Sequence, residues 1–125
     1  MNAFVVAGTA SGVGKTTVAL AIIASLRSRG LTVQPFKCGP DFIDGGHLAV
    51  AASRTSRNLD AWMLDAQANR EIFCHASTGY DVAAVEGMMG LFDGVTGSSE
   101  EGSTAEIAKL LDLPIVLVEI GRAHV

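Results

Sequence analysis

The amino-acid sequence predicts an α/β fold in which a parallel sheet is flanked by helices. Short, continuous apolar runs alternate along the chain with segments whose apolar residues recur at helical spacing. Strands that are apolar on both faces are typical of a parallel sheet covered on both sides. The 125 residues suffice for one such domain or a piece of a larger one, and are too few for two complete domains.

Local signals mark the first two strands and the first helix. An apolar run at residues 3–7 predicts the first strand, and apolar residues at helical spacing predict a helix over 16–29. Gly30 is a stop signal for this helix. Residues 31–37 are predicted to form the second strand, which ends before Pro40 because proline lacks a backbone N–H and restricts its own dihedral angle.

The middle of the chain predicts a second helix and a third strand. The helix is expected to begin at Asp60 and run through Ile72, because the Asp60 carboxylate can accept hydrogen bonds from N–H groups of the first turn. Residues 82–85 are predicted to form a buried strand that Glu86 ends. The large apolar side chains of the helix are expected to lie in the core: Trp62, Met63 and Phe73.

The last predicted elements are a helix and a strand. Ser103 and Glu106 have the spacing of a capping box, which predicts the start of the helix. Pro114 ends it before a fourth apolar strand at residues 115–118. Four strands with only about three helices leave apolar surface uncovered and a sheet edge unpaired, so we expect this chain to be prone to association.

Composition and charge exclude several classes of protein. With 49 % hydrophobic and 18 % charged residues, the chain is too apolar to remain disordered. Nine Lys and Arg against thirteen Asp and Glu give a net charge of −4, so neither nucleic acid nor an anionic membrane is an expected partner. Cys38 and Cys74 form no Cys/His cluster, so neither a zinc site nor a disulfide framework is indicated. No apolar run resembles a membrane span or a signal peptide, and we expect a cytoplasmic location.

Residues 8–17 join the first strand to the first helix and predict a phosphate-binding loop (P-loop). Glycines allow backbone N–H groups to turn towards phosphate oxygens, and the helix N-terminus adds partial positive charge. Lys15 is expected to contact the β- and γ-phosphates, and the Thr16 hydroxyl to bind Mg²⁺. The glycine at Gly8 stands one residue earlier than in the common pattern, and an ordinary glycine-rich turn is the alternative. The residues predicted to bind nucleotide are Gly8, Thr9, Ser11, Gly12, Val13, Gly14, Lys15, Thr16 and Thr17.

Four carboxylates are candidates for Mg²⁺ coordination or substrate orientation. Asp41 and Asp44 follow the second strand and Glu86 ends the third, so we expect them at the carboxyl edge of the sheet, where open α/β sheets bind ligands. An acidic residue at such a strand end can hold Mg²⁺ or its water. Asp93 lies seven positions after Glu86. The alternatives are solvated or turn-capping carboxylates for the first two, and a simple turn at Asp93.

Three further residues each have two interpretations. His47 is either a ligand contact or a surface-loop histidine. Met88 and Met89 either border an apolar substrate or fill space in the core, which flexible methionine does readily. None of the three is therefore assigned to the predicted site.

Five segments of the sequence occur in the order found in one family of enzymes. They are residues 8–17, 34–44, 56–60, 86–94 and 102–106. With these segments the chain resembles the N-terminal synthetase domain of the cobyrinic acid a,c-diamide synthase family, which includes the hydrogenobyrinic acid enzymes. The P-loop alone is shared with dethiobiotin synthetase and cobyric acid synthase. The specificity comes from Gly-Pro-Asp-Phe-Ile-Asp in the second segment and Glu-Gly-Met-Met-Gly-Leu-Phe-Asp-Gly in the fourth.

This resemblance implies a P-loop NTPase fold of the dethiobiotin synthetase-like type and a glutamine-dependent ligase of cobalamin biosynthesis. ATP and Mg²⁺ would activate the a and c side-chain carboxylates of cobyrinic or hydrogenobyrinic acid as acyl phosphates, and ammonia would then displace the phosphate. The resemblance implies catalytic roles for Lys15, Lys37, Asp44 and Asp93, and metal binding by Thr16, Asp41 and Glu86.

Members of this family also carry a C-terminal glutaminase domain that releases ammonia from glutamine. Its nucleophilic cysteine has no counterpart here, because Cys38 and Cys74 both lie in the ATP-binding portion. We therefore expect residues 1–118 to be a partial synthetase domain that is inactive alone, and residues 119–125 to be an artificial or a divergent natural tail. The resemblance implies a corrinoid acid as substrate and leaves a homodimer open.

Functions of other classes are the alternatives. P-loop ATPase switches of the partitioning type usually carry a second, early lysine in the loop, where this sequence has Ala10. A related dethiobiotin synthetase-like or cobyric acid synthase ligase, and a stand-alone nucleotide-binding module, are the others. For the ligase, the sequence leaves open whether the tetrapyrrole carries cobalt, nickel or no metal.

Overall fold

The computed structural model describes residues 2–10, 12–39, 46–94 and 102–120. Within these ranges strands and helices alternate along the chain. None of the described helices is long and apolar enough to cross a membrane. The elements are β1 (Asn2–Gly8), α1 (Lys15–Ser28), β2 (Val33–Cys38), α2 (Gly46–Ala52), β3 (Arg57–Leu59), α3 (Ala66–Ser77), β4 (Val82–Gly90), α4 (Thr104–Leu111) and β5 (Ile115–Val118).

The described strands form one parallel sheet with the order β3-β2-β4-β1-β5, which confirms the predicted fold class. In register, Lys37 of β2 lies opposite Glu86 of β4, and Gly8 of β1 lies opposite Gly90 of β4. Because the strands are parallel, the carboxyl ends of β1, β2 and β4 meet at one edge of the sheet. Helix α1 begins at that same edge.

Alternating side chains of the strands build a core on each face of the sheet. On one face the sheet packs against α3 and α4, and the ring centroids of Phe36 and Phe73 are 5.1 Å apart. On the other face Val6 packs in a cluster with Ile23 of α1 and Leu48 of α2. Helices α1 and α2 therefore lie side by side on the second face, and both begin at the carboxyl edge.

The predicted signals at the end of α1 and the start of α4 are confirmed. Gly30 follows α1 with φ +83°, a backbone conformation that favours glycine. Before α4, Ser103 Oγ accepts a hydrogen bond from the backbone N–H of Glu106 at 3.1 Å. The Glu106 carboxylate in turn accepts one from the N–H of Gly102 at 2.9 Å. These bonds satisfy donors that the first helical turn leaves unpaired.

The predicted helix start at Asp60 is wrong. Helix α3 begins at Ala66, and its capping side chain is Asp65, whose carboxylate accepts a hydrogen bond from the N–H of Ala68 at 2.7 Å. The Asp60 carboxylate instead closes a turn before the helix. Two of the three side chains expected in the core are consequently exposed, Trp62 by 45 % and Met63 by 68 %, whereas Phe73 is buried as predicted.

The sequence prediction missed α2 and β3, and it ended β4 too early. Strand β4 continues past Glu86 to Gly90, so Glu86 lies inside the strand and not at its end. Helix α2 has seven residues and β3 has three. Both are too short for a periodic pattern to be distinct, and their positions depend on tertiary contacts.

Strand β5 forms where predicted, at the edge of the sheet. It pairs with β1, and the side chains of Ile115, Val116 and Leu117 are 40–51 % exposed. The described residues therefore cover only about half of the surface of each of these side chains. This uncovered apolar edge is the feature on which the expected tendency to associate depends.

Candidate functional site

The loop between β1 and α1 leaves the first turn of the helix open to a ligand. Gly12 and Gly14 have φ values of +77° and +91°, which L side chains rarely adopt. Gly14 is the capping residue of α1, and within the described part of the chain no side chain caps this helix. The first-turn N–H groups therefore have no side-chain acceptor, and they are available to phosphate oxygens.

Glycines also allow β4 and the P-loop to approach each other closely. A Cβ at Gly8 would lie 2.6 Å from Val13 Cγ2 and 2.9 Å from Ala10 O, which explains why glycine stands at this position of the loop. A Cβ at Gly90 would lie 3.0 Å from Thr9 O and 2.8 Å from Asp93 Oδ2. The end of β4 thus supports the backbone of the P-loop directly.

We expect Gly90→Ala to weaken nucleotide binding about tenfold, because the added methyl group displaces the P-loop backbone. Gly46→Ala is the matched control, since a Cβ there meets no atom of the described residues within 4 Å. The measurement is a fluorescence titration of both variants with a labelled ATP analogue, with the melting temperature as a check of folding. Wild-type affinity in Gly90→Ala would show that β4 does not support the loop.

Beside the P-loop, a buried carboxylate joins four elements. Glu86 of β4 accepts a hydrogen bond from Lys37 Nζ of β2, with 2.7 Å between Nζ and Oε1. Thr16 Oγ1, in the first turn of α1, donates to the same oxygen at 3.3 Å. His47 Nε2 of α2 lies 3.3 Å from the other oxygen, Oε2. The Glu86 side chain is 1 % exposed, so burial limits its solvation by bulk water.

The charges at this cluster favour an anion. Burial lowers the pKa of Lys15, the nearby Lys37 ammonium lowers it further, and Glu86 partly opposes both effects. The Lys15 and Lys37 ammonium groups thus repel each other beside one carboxylate that is paired with Lys37, and a phosphate oxygen would relieve their repulsion. Burial also raises the pKa of the Cys38 thiol to about 12, so this cysteine remains protonated and unreactive at neutral pH.

The oxygen donors present fit a magnesium ion held jointly with a nucleotide. Thr16 Oγ1 and Glu86 Oε1 are 3.3 Å apart, and both are hard oxygen ligands. In the described ranges no group of three or more His, Cys, Asp and Glu side chains could hold a metal. Mg²⁺ commonly uses only one or two protein ligands and takes the others from phosphate and water. A pair of donors next to a phosphate site is therefore sufficient.

Of the other predicted acids, Asp93 is described, and it is not brought to this cluster. Asp93 Oδ2 accepts a hydrogen bond from the N–H of Gly90 at 2.9 Å, and the N–H of Asp93 donates to Gly90 O at 3.1 Å. The carboxylate thus closes the turn after β4, which is the alternative left open by the sequence. Asp41 and Asp44, and Ser11 of the P-loop, lie outside the described residues.

The remaining described residues of the predicted P-loop have contacts of three kinds. The N–H of Thr9 donates to Val118 O at 3.1 Å, which connects the loop to β5. Val13 packs against Gly8, and Thr17 lies exposed in the first turn of α1. These positions agree with a phosphate-binding loop, and their roles in binding stay predictions.

Sequence reasoning did not assign His47 or Thr104 to the site. His47 follows two glycines, a pattern equally typical of an exposed loop, so its contact with Glu86 had no decisive signal. Thr104 is fully buried, and its hydroxyl bonds both the N–H and the C=O of Met88, at 3.0 and 3.2 Å. Thr104 thus fixes the backbone of β4 at Met88, two residues after Glu86.

Comparison with known proteins agrees with this geometry. Residues 4–109 match the family model described as the CobQ/CobB/MinD/ParA nucleotide binding domain. The chain is 51 % identical over 114 residues to hydrogenobyrinate a,c-diamide synthase of Streptomyces coelicolor. It is 48 % and 52 % identical, again over 114 residues, to the cobyrinate a,c-diamide synthases of Dehalococcoides mccartyi and Syntrophotalea carbinolica. The alignments cover 91 % of this chain and 24–25 % of the relatives, so the chain spans about a quarter of their length.

Proposed function

The chain belongs to the CobQ/CobB/MinD/ParA nucleotide-binding domain family, and from this premise we propose that it is synthetase-domain sequence of a corrinoid amide ligase. The proposed reaction is the amidation, dependent on ATP and Mg²⁺, of the a and c side-chain carboxylates of cobyrinic or hydrogenobyrinic acid in cobalamin biosynthesis. Glutamine is the proposed source of ammonia, released by a glutaminase domain. The names of the relatives support the substrate class.

The observation that carries this proposal is the buried cluster beside the P-loop. Lys37 and Thr16 both contact Glu86, and Lys15 at the start of α1 is close enough to interact with their charges, which supports binding of a γ-phosphate and its metal here. A site that only held nucleotide at its surface would not need a buried ion pair on the neighbouring strands. The cluster instead supports phosphoryl transfer to an acceptor at the carboxyl edge of the sheet.

ATP is needed because a carboxylate is a poor electrophile and its oxygen a poor leaving group. In the first step a carboxylate oxygen attacks the γ-phosphorus, and the bond from that phosphorus to the bridging oxygen breaks to release ADP. In the second step the nitrogen of ammonia attacks the acyl carbon, phosphate leaves with the former carboxylate oxygen, and the nitrogen loses a proton. The second side chain then reacts in the same way.

The residues of the cluster have separate proposed roles. Lys15 and Lys37 neutralise charge on the phosphate oxygens as the phosphoryl group moves. Thr16 and Glu86 would hold Mg²⁺, which when bound would supply positive charge that neutralises the phosphates. The ion pair of Lys37 and Glu86 orients both side chains before nucleotide arrives. Positioning and electrostatic stabilisation therefore account for the protein's part in the reaction.

The remaining acids complete the proposed site. Asp41 is a further metal ligand, and Asp44 and Asp93 orient the carboxylate or protect the acyl phosphate. For Asp93 this role requires its side chain to leave the N–H of Gly90. The Gly90 N–H would then need another acceptor, and a phosphate or substrate oxygen would be one.

The test uses the protein expressed from its uninterrupted reading frame, called the full-length protein below. It is supplied with ATP, Mg²⁺ and ammonia, with or without hydrogenobyrinic or cobyrinic acid. We expect ADP formation to require the acid, and mass spectrometry to show one and then two carboxylates converted to amides. A simple dicarboxylic acid is the control substrate.

The family description also names MinD and ParA, and a partitioning-type ATPase switch is the second candidate, so the same assay has to distinguish it. ATP hydrolysis that is independent of the corrinoid acid and rises with self-association would favour a switch of the partitioning type. Nucleotide binding without turnover under any of these conditions would favour a stand-alone binding module. Either result would overturn the ligase proposal.

A further inference from the structure

The two oxygens of the buried Glu86 carboxylate have different partners. Oε1 accepts hydrogen bonds from Lys37 and Thr16, the groups next to the phosphate position. Oε2 faces His47 Nε2 at 3.3 Å, and no other described side chain is paired with it. The imidazole is thus on the opposite side of the carboxylate from the ammonium and hydroxyl groups.

The position of His47 is set by helix packing. It is the second residue of α2, and the following residue, Leu48, is 1 % exposed in the core between α2 and the sheet. At the other end of α2, Arg27 of α1 donates to Ala51 O at 3.1 Å. The His47 side chain is 34 % exposed, so it is partly open to solvent while it contacts the buried carboxylate. A histidine in a surface loop would have neither constraint.

A buried carboxylate that is held through one oxygen can still rotate about its terminal bond. Hydrogen bonds on both oxygens fix the plane of the group. This matters for Glu86, because the oxygen shared with Thr16 is the one that would face a cation at the phosphates. A donor on Oε2 keeps Oε1 in that orientation when Thr16 turns from the carboxylate towards the cation.

We propose that His47 is a positioning residue of this site, which holds Glu86 through Oε2 so that Oε1 is directed at Thr16 and the metal position. The proposal for His47 depends on the proposed function in one respect, the assignment of Mg²⁺ and a nucleotide to the cluster. His47 acts through Glu86 and needs no contact with substrate. The proposal gives a role to a residue that neither the P-loop pattern nor the acidic motifs include.

The test compares two amides of different length in the full-length protein. The amide nitrogen of His47→Gln reaches about as far as Nε2 of histidine, whereas the shorter His47→Asn does not reach Glu86. The readout is binding of a fluorescent, non-hydrolysable ATP analogue, titrated with Mg²⁺ and repeated in EDTA. We expect His47→Asn to raise the Mg²⁺ concentration for half-maximal binding about tenfold, with binding in EDTA unchanged. His47→Gln is expected to restore most of the Mg²⁺ response.

The control is His75→Asn, a histidine exposed on α3, which should leave both measurements at wild-type values. Wild-type Mg²⁺ dependence in His47→Asn would overturn the proposal. Equal losses in the asparagine and glutamine variants, with binding in EDTA also lost, would show a structural role and overturn it as well. If His47→Asn does not fold, the Mg²⁺ dependence of His47→Leu is compared with that of His47→Gln instead. The readout needs no corrinoid, so failure of amidation in the wild type would count against the proposed function and leave this result interpretable.

Discussion

Glu86→Gln is expected to lower the free energy of unfolding by about 3 kcal/mol and to abolish Mg²⁺-dependent turnover. The substitution keeps the volume of the side chain but leaves the Lys37 ammonium, which is 11 % exposed, without its carboxylate. An unpaired buried charge is costly because the interior cannot replace its hydration. Chemical denaturation measures the loss of stability, and ADP formation with the corrinoid acid measures turnover.

A double variant separates the structural effect from the functional one. Lys37→Met combined with Glu86→Gln removes both charges, so stability is expected to recover towards the wild-type value. Turnover is expected to stay absent, because neither the proposed metal ligand Glu86 nor the Lys37 ammonium is present. Recovery of turnover in the double variant would contradict the role of both residues. Equal instability of the single and double variants would show that the ion pair is not what the single substitution breaks.

The sequence was sufficient where the structural signal is local. The P-loop, the start of α1, the Ser103 capping box and β5 each depend on residues within a few positions of one another. Local backbone preferences and short-range hydrogen bonds decide these features, and tertiary contacts do not have to be known.

The prediction failed where two local signals compete or where an element is short. Asp60 and Asp65 are both acceptable capping residues ahead of the same apolar pattern. The structure uses Asp65, because Asp60 is buried at 4 % exposure and its backbone bonds the side chain of Asn69 in the core. The spacing of apolar residues does not predict the contact between Asp60 and Asn69.

The candidate site likewise contains residues that the sequence could assign and contacts that it could not predict. Lys15 and Thr16 could be assigned from the P-loop motif alone. Lys37 and Glu86 are 49 positions apart, so their contact depends on the register of β2 against β4. The sequence placed both near one edge of the sheet, but it could not determine that they form an ion pair. His47 requires in addition the packing of α2, an element that the sequence pattern did not reveal.

Lys15→Ala is expected to weaken nucleotide binding on the order of 100-fold without destabilising the fold. Lys15 is the first residue of α1 and the proposed phosphate contact, so its replacement would take a charged hydrogen-bond donor from the phosphates. Burial and Lys37 lower the pKa of Lys15, which means that its charged form costs the folded protein stability at any pH below the lowered pKa. That cost diminishes as the pH rises towards the ordinary value of 10.5.

The stability of Lys15→Ala without nucleotide should therefore equal or exceed that of the wild type at neutral pH, and the difference should shrink at alkaline pH. Lys109→Ala, on the exposed surface of α4, is the matched control and should change neither property. The measurements are a nucleotide titration and melting temperatures across a pH series. A structural lysine would lose stability and binding together when it is replaced. Loss of binding with retained stability would instead identify a lysine that serves phosphate binding. The charge of such a lysine costs the fold stability when no phosphate compensates it.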